Sequence, residues 1–240
     1  MFDSVERKDT AFVGGKYTTK QAADILGVTT HQVVQLIHAG ELEAVRTAGE
    51  AFLVGVESLN GYARIRQGRG RPLSGNVAWA ALWLLSGLEV DWLTYQQSRR
   101  LRIFLQEVSA EDLVWLVRKR ADFLHLRIDE SFFVAATKDL VLSGTSSKLI
   151  SEFELTTRAG HLEGYIVRDN LEGFVQRNFA VTGGRANAIA RIINDAPFDL
   201  IELSEMPIAV AAVDLTTSAN ERERRAGLKM LKKLLEAWRD

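Results

Sequence analysis

The fold of the N-terminal part is decided by Tyr17-Thr18-Thr19-Lys20-Gln21-Ala22-Ala23-Asp24-Ile25-Leu26-Gly27-Val28-Thr29-Thr30-His31-Gln32. This stretch contains two capping boxes, in each of which a threonine precedes a glutamine by three residues. Thr18 and Gln21 form the first pair, and Thr29 and Gln32 form the second. Gly27 lies between them and favours the end of the first helix. The stretch therefore predicts two short helices joined by a tight turn, the arrangement of a helix-turn-helix.

A hairpin and a third helix are predicted after the second helix. Residues 42–46 alternate apolar and polar side chains, as a half-buried strand does. Residues 48–50 favour a turn, and residues 51–54 favour the returning strand. Residues 57–66 then predict a closing helix. The hairpin lies where the wing of a winged helix-turn-helix would lie.

With these elements, the stretch of about residues 16–66 resembles the winged helix-turn-helix domains of excisionases and MerR-type regulators. Beyond the opening stretch, the matching positions are Val33, Leu36-Ile37, Gly40-Glu41-Leu42, Ala44-Val45-Arg46 and Gly49. The resemblance implies that the second helix lies in the DNA major groove and that the wing contacts the backbone or the minor groove. Thr30, His31 and Gln35 would then face DNA, and Arg46 would lie on the wing.

The chain departs from this family in its charge. Family members often carry arginines on the second helix and after the wing glycine, where this chain has Val34, Gln35, Glu50 and Ala51. Residues 17–47 contain two cations and three acids. Because non-specific DNA affinity grows with the number of phosphates neutralised, we expect this domain alone to bind DNA weakly.

The formal net charge of -1 hides an uneven distribution. Residues 1–63 sum to -3, residues 64–72 to +4 and residues 73–240 to -2. The glycines and the proline of the basic segment disfavour regular structure. We therefore predict a winged helix-turn-helix domain over residues 1–66, a linker over 67–74 and a second domain over 75–240.

Within the linker, Arg69-Gly70-Arg71-Pro72 matches the short core of an AT-hook. Extended arginines fit the narrow, negative minor groove of A·T-rich DNA. A solvated linker that arginines keep extended, or general contact with phosphates, are the alternatives. The predicted DNA-contacting residues are Thr18, Thr19, Thr29, Thr30, His31, Gln35, Arg46, Arg64, Arg66, Arg69 and Arg71.

The second domain is predicted to be a mixture of helices and strands. Helices are expected over 76–88 and 94–107, buried strands over 140–144 and 164–167, and a strand or helix edge over 186–193. The end of the chain predicts an amphipathic helix. Its outward cations, which either form a solvated face or contact DNA, are Arg222, Arg225, Lys229, Lys232 and Lys233.

Two further charge patterns bear on partners. Arg118-Lys119-Arg120 ends a predicted helix, where cations suit the helix dipole, and we prefer that interpretation to a DNA contact. Residues 128–220 carry 7 cations and 13 anions, a net charge of -6. This part is expected to repel DNA and is better suited to contacting protein.

The order of the pieces is similar to that of antitoxins of the abortive-infection AbiEi type. The matching pieces are Gly70-Arg71-Pro72-Leu73-Ser74, the Trp/Leu-rich helix after it, Leu101 to Arg120, Leu140-Val141-Leu142-Ser143-Gly144, Gly164-Tyr165-Ile166 and Ala212-Val213-Asp214-Leu215. The resemblance implies an antitoxin that represses its own promoter. It also implies a nucleotidyltransferase toxin encoded next door, countered without necessarily forming a stable complex.

Several other classes find no support in the sequence. Cysteine is absent, which excludes disulfide scaffolds and thiolate metal sites. The four histidines are scattered, and no phosphate-binding loop or nucleophile elbow occurs. We therefore expect no metal, no cofactor and no enzymatic activity. No signal peptide is visible, and the longest apolar run, residues 77–88, is too short to span a bilayer, which predicts a cytoplasmic protein.

These observations predict an α+β protein that acts as a sequence-specific DNA-binding repressor and antitoxin. Its partners would be double-stranded DNA and a toxin system, with a homodimer on DNA left open. Two alternatives stand beside this hypothesis. One is an architectural, excisionase-like DNA-bending factor, which the large second domain disfavours. The other is a protein-interaction module whose winged domain does not bind DNA, which the net charge of -3 over residues 1–63 keeps open.

Overall fold

The computed structural model describes residues 16–38, 41–47, 49–65, 70–182, 186–200 and 202–240. They form two compact units, the first ending at Arg64 and the second beginning at Ile65. Each unit combines helices with a small sheet, so the chain is α+β. In the part of the chain that is described, no helix is both long enough and apolar enough to cross a membrane.

The first unit alternates helices with short antiparallel strands. Its elements in chain order are β1 (Lys16–Thr18), α1 (Thr19–Leu26), α2 (Thr30–His38), β2 (Ala44–Arg46), β3 (Phe52–Gly55) and α3 (Val56–Ile65). β3 lies between β1 and β2 and is antiparallel to both. The predicted helices and hairpin are confirmed to within a few residues. β1 was not predicted, because the sequence indicates Tyr17 and Thr18 only as the start of the first helix.

Both capping boxes of the first unit form as predicted. The Thr18 hydroxyl accepts from the backbone N–H of Gln21 at 3.2 Å, and the Gln21 side chain accepts from the backbone N–H of Thr18 at 2.9 Å. The Thr29 and Gln32 pair repeats this exchange at 3.2 and 3.0 Å. Gly27 ends α1 with φ 61°, a left-handed conformation that costs glycine little. These caps fix the three-residue turn between α1 and α2.

The second unit contains longer helices and a four-stranded sheet. Its elements are α4 (Gly75–Leu85), α5 (Tyr95–Glu107), α6 (Ala110–Leu116), β4 (Asp122–Leu126), α7 (Phe133–Lys138), β5 (Val141–Leu142), β6 (Leu162–Val167), α8 (Arg168–Arg177), β7 (Ala188–Ile193), α9 (Ile208–Thr216) and α10 (Glu221–Arg239). The strand order is β4-β7-β6-β5, with β6 and β7 parallel and both edge strands antiparallel to their neighbours. Short 3₁₀ turns connect several of these elements, including Arg118–Arg120 and Gly144–Ser146.

The core of the second unit forms around two apolar helices, α4 and α9. Trp79 of α4 is fully buried and makes edge-to-face contacts with Trp83 at 5.6 Å and with Tyr165 of β6 at 5.5 Å. Both tryptophans therefore belong to the core. α4 ends at Leu85, three residues before the predicted end. Residues 188–193 form a strand, which decides between the two expectations for that segment.

The predicted amphipathic helix at the end of the chain is confirmed as α10. Leu231 and Leu235 are buried, and the five predicted outward cations are exposed. β4, α7 and α9 were not predicted. α9 has too little polar character for a helical periodicity to show, since Ala209 to Leu215 are all buried.

Candidate functional site

α2 presents a polar face to solvent. Val33 is fully buried and fixes the orientation of the helix, while Thr30, His31 and Gln35 are exposed. These are the three residues predicted to face DNA. Their side chains can donate and accept hydrogen bonds, which is the chemistry that reads base edges and holds phosphates. The exposed face therefore has the composition of a polar recognition surface.

The threonines at the helix starts already have partners. The Thr18 hydroxyl contacts the Gln21 carboxamide oxygen at 3.2 Å, and the Thr29 hydroxyl contacts that of Gln32 at 3.3 Å. Thr19 is the first residue of α1 and is half-buried. These predicted contacts thus lie at helix starts, and the hydroxyls of Thr18 and Thr29 hold the helices in place.

The hairpin lies against the end of α2. The Phe52 ring of β3 makes an edge contact with the His38 ring at 5.7 Å. The Arg46 guanidinium of β2 lies 5.0 Å from the centre of the same ring. Arg46 is exposed, so stacking orders its side chain while its N–H groups remain directed to solvent. Phe52 therefore brings the predicted wing arginine and α2 to one surface.

The predicted linker contacts are only partly described. Arg66 and Arg69 lie outside the described residues, and so does the side chain of Arg64 at the end of α3. Arg71 is exposed in an extended segment. The Gly70 carbonyl accepts from Trp115 Nε1 at 2.9 Å, and the Leu73 N–H donates to the Leu116 carbonyl at 2.9 Å. The end of the linker is therefore held against α6 and is not a free solvated segment.

No family model, curated protein or solved structure matches this chain. The excisionase-like and AbiEi-like resemblances therefore stay predictions.

The most unusual feature of the second unit is a buried network of charges that the sequence did not predict. Its members come from the turn after α6, from β6, from β7 and from α9, and they are Arg120, Glu163, Tyr165, Arg191 and Asp214. Each is at most 7 % exposed. Two arginines and two carboxylates make the network electrically neutral. No sequence motif marks it, because Arg120 and Asp214 are 94 residues apart.

Asp214 is the centre of this network. Its Oδ1 accepts from the Tyr165 hydroxyl at 3.0 Å, lies 3.2 Å from Arg191 Nε and pairs with Arg120 Nη2. Its Oδ2 accepts from the Ser143 hydroxyl. A buried carboxylate is tolerated only with such partners. Asp214 therefore joins α9 to the sheet and to the turn after α6.

Glu163 and Arg191 complete the network. Arg191 donates to Glu163 Oε1 from Nε at 3.0 Å and also from Nη2, and Nη2 reaches the Thr217 hydroxyl at 3.1 Å. Burial raises the pKa of Glu163 against the opposing attraction of Arg191. The close packing leaves the four charged groups inaccessible to a substrate. Their role is to hold the fold together.

The predicted place of Arg118-Lys119-Arg120 at the end of a helix is confirmed, since the three residues follow α6. The three residues form a 3₁₀ turn, and only part of the segment faces solvent. Arg120 belongs to the buried network, and the Arg118 guanidinium stacks 3.4 Å from the centre of the Trp115 ring. Arg118 also donates to the Trp115 carbonyl at 3.2 Å and Arg120 to the Val117 carbonyl at 3.3 Å, so contacts with the helix end and tertiary contacts together hold these arginines.

Among the described residues, no group of three or more histidine and acidic side chains is placed to hold a metal ion. His31 and His38 lie two turns apart on α2.

Proposed function

We propose that this chain is a DNA-binding transcriptional regulator whose first unit is a winged helix-turn-helix. The observation that carries the proposal is the surface formed by α2 and the β2–β3 hairpin. It combines an exposed face of Thr30, His31 and Gln35 with Arg46, which stacks on Phe52 beside His38. A helix whose polar side chains face solvent, with a basic hairpin beside it, suits the DNA major groove and the flanking phosphate backbone.

The chemistry assigns different roles to the two parts of this surface. Gln35 can form a bidentate pair with adenine, so it would contribute to sequence preference. Arg46 would neutralise a phosphate, so it would contribute to affinity for all sequences. Binding to its own promoter would make the chain an autorepressor. The order of pieces in the second unit supports the further proposal that it serves as the antitoxin of a nucleotidyltransferase toxin.

The test is a titration of the full chain with the duplex upstream of its own gene, at 50 to 300 mM NaCl. We expect Arg46→Ala to reduce the slope of log affinity against log salt by about 0.9 for every duplex. Gln35→Ala should lower affinity for the preferred duplex by roughly tenfold, with little effect on an unrelated duplex. Arg168→Ala is the matched control, because Arg168 is exposed but pairs with Asp122 at 2.7 Å.

Absence of binding at 50 mM NaCl would contradict the proposal. The antitoxin role has its own test: expression of the neighbouring nucleotidyltransferase reading frame should arrest growth, and co-expression of this chain should restore it. If a variant that lacks Arg46 still restores growth, the antitoxin role is separate from DNA binding.

A specific observation favours a second function for the first unit, that of a protein-interaction module. Ile25 of α1 and Val45 of β2 are 47 % and 39 % exposed, and acids outnumber cations over residues 17–47. Exposed apolar side chains on an acidic surface suit a protein partner better than a phosphate backbone. The same titration decides between the two functions, since a module of this kind would not bind the duplex at low salt.

A further inference from the structure

A second surface with the chemistry of a nucleic-acid contact lies on α5, in the second unit. Leu101 and Leu105 are buried and fix the orientation of this helix. The opposite face contains Arg99, Arg100 and Ile103, all exposed. A shallow groove of about 310 Å³ runs along the flank of the helix, and it is lined by Tyr95, Ser98, Arg99, Arg102, Ile103 and Gln106.

The charge of this face is unbalanced along most of its length. α5 contains three arginines, and its only acid is Glu107, its last residue. Arg102 stacks 5.5 Å from the centre of the Trp238 ring. Within the described part of the chain, Arg99 and Arg100 form no salt bridge and no side-chain hydrogen bond. Their guanidinium groups are therefore available to an external anion.

On α10, three of the five outward cations have carboxylate partners. Lys229 pairs with Glu154 at 2.8 Å, Lys232 pairs with Glu111 at 2.7 Å, and Arg225 pairs with Glu221. An arginine or lysine that has a carboxylate partner must lose it before it neutralises a phosphate. The cations of α10 were one predicted second contact with DNA, but the unpaired arginines of α5 suit that contact better.

The side chains of α5 also favour nucleic acid over an acidic protein surface. Arginine presents a planar set of donors that matches two phosphate oxygens at once. Gln106 and Ser98 line the groove and add neutral donors, while Tyr95, 83 % exposed, offers an aromatic surface for a sugar. A helix of this length extends about 20 Å, a distance along which a duplex carries roughly twelve charges on its two strands.

We infer that the α5 face binds the phosphate backbone of double-stranded DNA, with Arg99 and Arg100 as the phosphate-binding residues. This inference rests on the proposed function, because the duplex is the one that the first unit would bind. The contact would supply the charge that the first unit lacks. It would add affinity without sequence preference, since a phosphate contact reads no base.

The test compares R99A/R100A with the full-length wild-type chain in the salt titration described above. Loss of two phosphate contacts should reduce the salt slope by about 1.8. Because the electrostatic contribution vanishes near 1 M salt, affinity at 0.1 M should fall by roughly 60-fold for every duplex. R168A/R177A is the matched control: it removes two exposed arginines that pair with Asp122 and Asp139, and its slope should stay at the wild-type value.

The outcomes separate this inference from the proposed function. If wild type binds and R46A reduces the slope but R99A/R100A does not, the α5 contact is overturned and the first unit keeps its role. An equal reduction of the salt slope in R168A/R177A would also overturn the α5 contact, because loss of any two arginines would then have the same effect on DNA binding. Absence of binding by wild type would overturn the proposed function itself. An unchanged tryptophan emission spectrum of R99A/R100A checks that the second unit is folded.

Discussion

The two units differ in where they keep their charges. Among its described residues, the first unit buries apolar side chains and Ser58, and its ionisable groups remain at the surface. The second unit encloses the four charges of the Asp214 network beneath its sheet and helices. Charge therefore performs two tasks in this chain. The buried charges hold the fold of the second unit together, and the exposed charges are available to partners. The net charge of the chain does not distinguish these two kinds.

The largest effect is expected from removing the centre of the buried network. Asp214→Ala leaves Arg120 and Arg191 without their shared carboxylate, and loss of one partner of a buried pair costs about 3–5 kcal/mol. For a unit of this size, the melting temperature should fall by about 6–20 °C. All five tryptophans lie in the second unit, so their fluorescence follows its unfolding alone.

Asp122→Ala is the control for this prediction, because Asp122 pairs with Arg168 at the surface, where both side chains are more than 40 % exposed. An exposed pair contributes about 0–1 kcal/mol. Equal losses of melting temperature for Asp214→Ala and Asp122→Ala would contradict the distinction between buried and exposed charges.

A smaller effect is expected from acidification. Burial, together with repulsion from Arg158, His125 and Arg191, lowers the pKa of His161 to about 4. At a pH between these two pKa values, the histidine of the unfolded chain, with its ordinary pKa near 6.5, is protonated, whereas His161 of the folded chain is not. Stability is therefore fully present above pH 6.5 and falls as the pH decreases toward 4. Between pH 6.5 and 5 the loss should be roughly 2 kcal/mol, measured by urea unfolding with tryptophan detection.

His161→Gln should flatten this pH dependence, since glutamine does not titrate. If the variant and the wild type lose stability in parallel over that window, another group is responsible.

The smallest effect is expected in the first unit. Thr18→Ala removes the hydroxyl that accepts from Gln21 N–H, and loss of such a cap costs about 1 kcal/mol. Hydrogen exchange of the α1 amides should accelerate roughly fivefold, while the tryptophan-detected transition should not move. Thr18→Ser keeps the hydroxyl and serves as the control. A shift of the tryptophan transition in Thr18→Ala would show that the units do not unfold separately.

What could be predicted from sequence depended on how far apart the interacting residues are. Thr18 with Gln21 and Thr29 with Gln32 are three residues apart, so the caps and the helices they begin were predicted. α10 was predicted because its leucines repeat at helical spacing along a long segment. β1 was missed because three residues carry no periodicity, and its partner β3 lies more than thirty residues away.

The features of the candidate surfaces could likewise be predicted only where they depend on neighbouring residues in the sequence. The outward direction of Thr30, His31 and Gln35 was predicted from the family resemblance, and burial of Val33 on the other side of the helix agrees with it. The stacking of Arg46 on Phe52 depends on strand register, which the sequence did not resolve. The availability of Arg99 and Arg100, against the pairing of Lys229 and Lys232, depends on distant acids such as Glu154 and Glu111, and only the structure could show it.

The Asp214 network also sets the order in which a nascent chain can mature. Its carboxylate joins Arg120, Ser143 and Tyr165, which precede it by 94, 71 and 49 residues. At a synthesis rate of about 5–20 residues per second, Asp214 is added to the chain roughly 5–20 s after Arg120. Until then, burial of Arg120 would leave its charge without a carboxylate partner, whereas Arg191 already has Glu163. The second unit therefore completes its folding only after α9 has been made, while the first unit, whose last element ends at Ile65, can fold while synthesis continues.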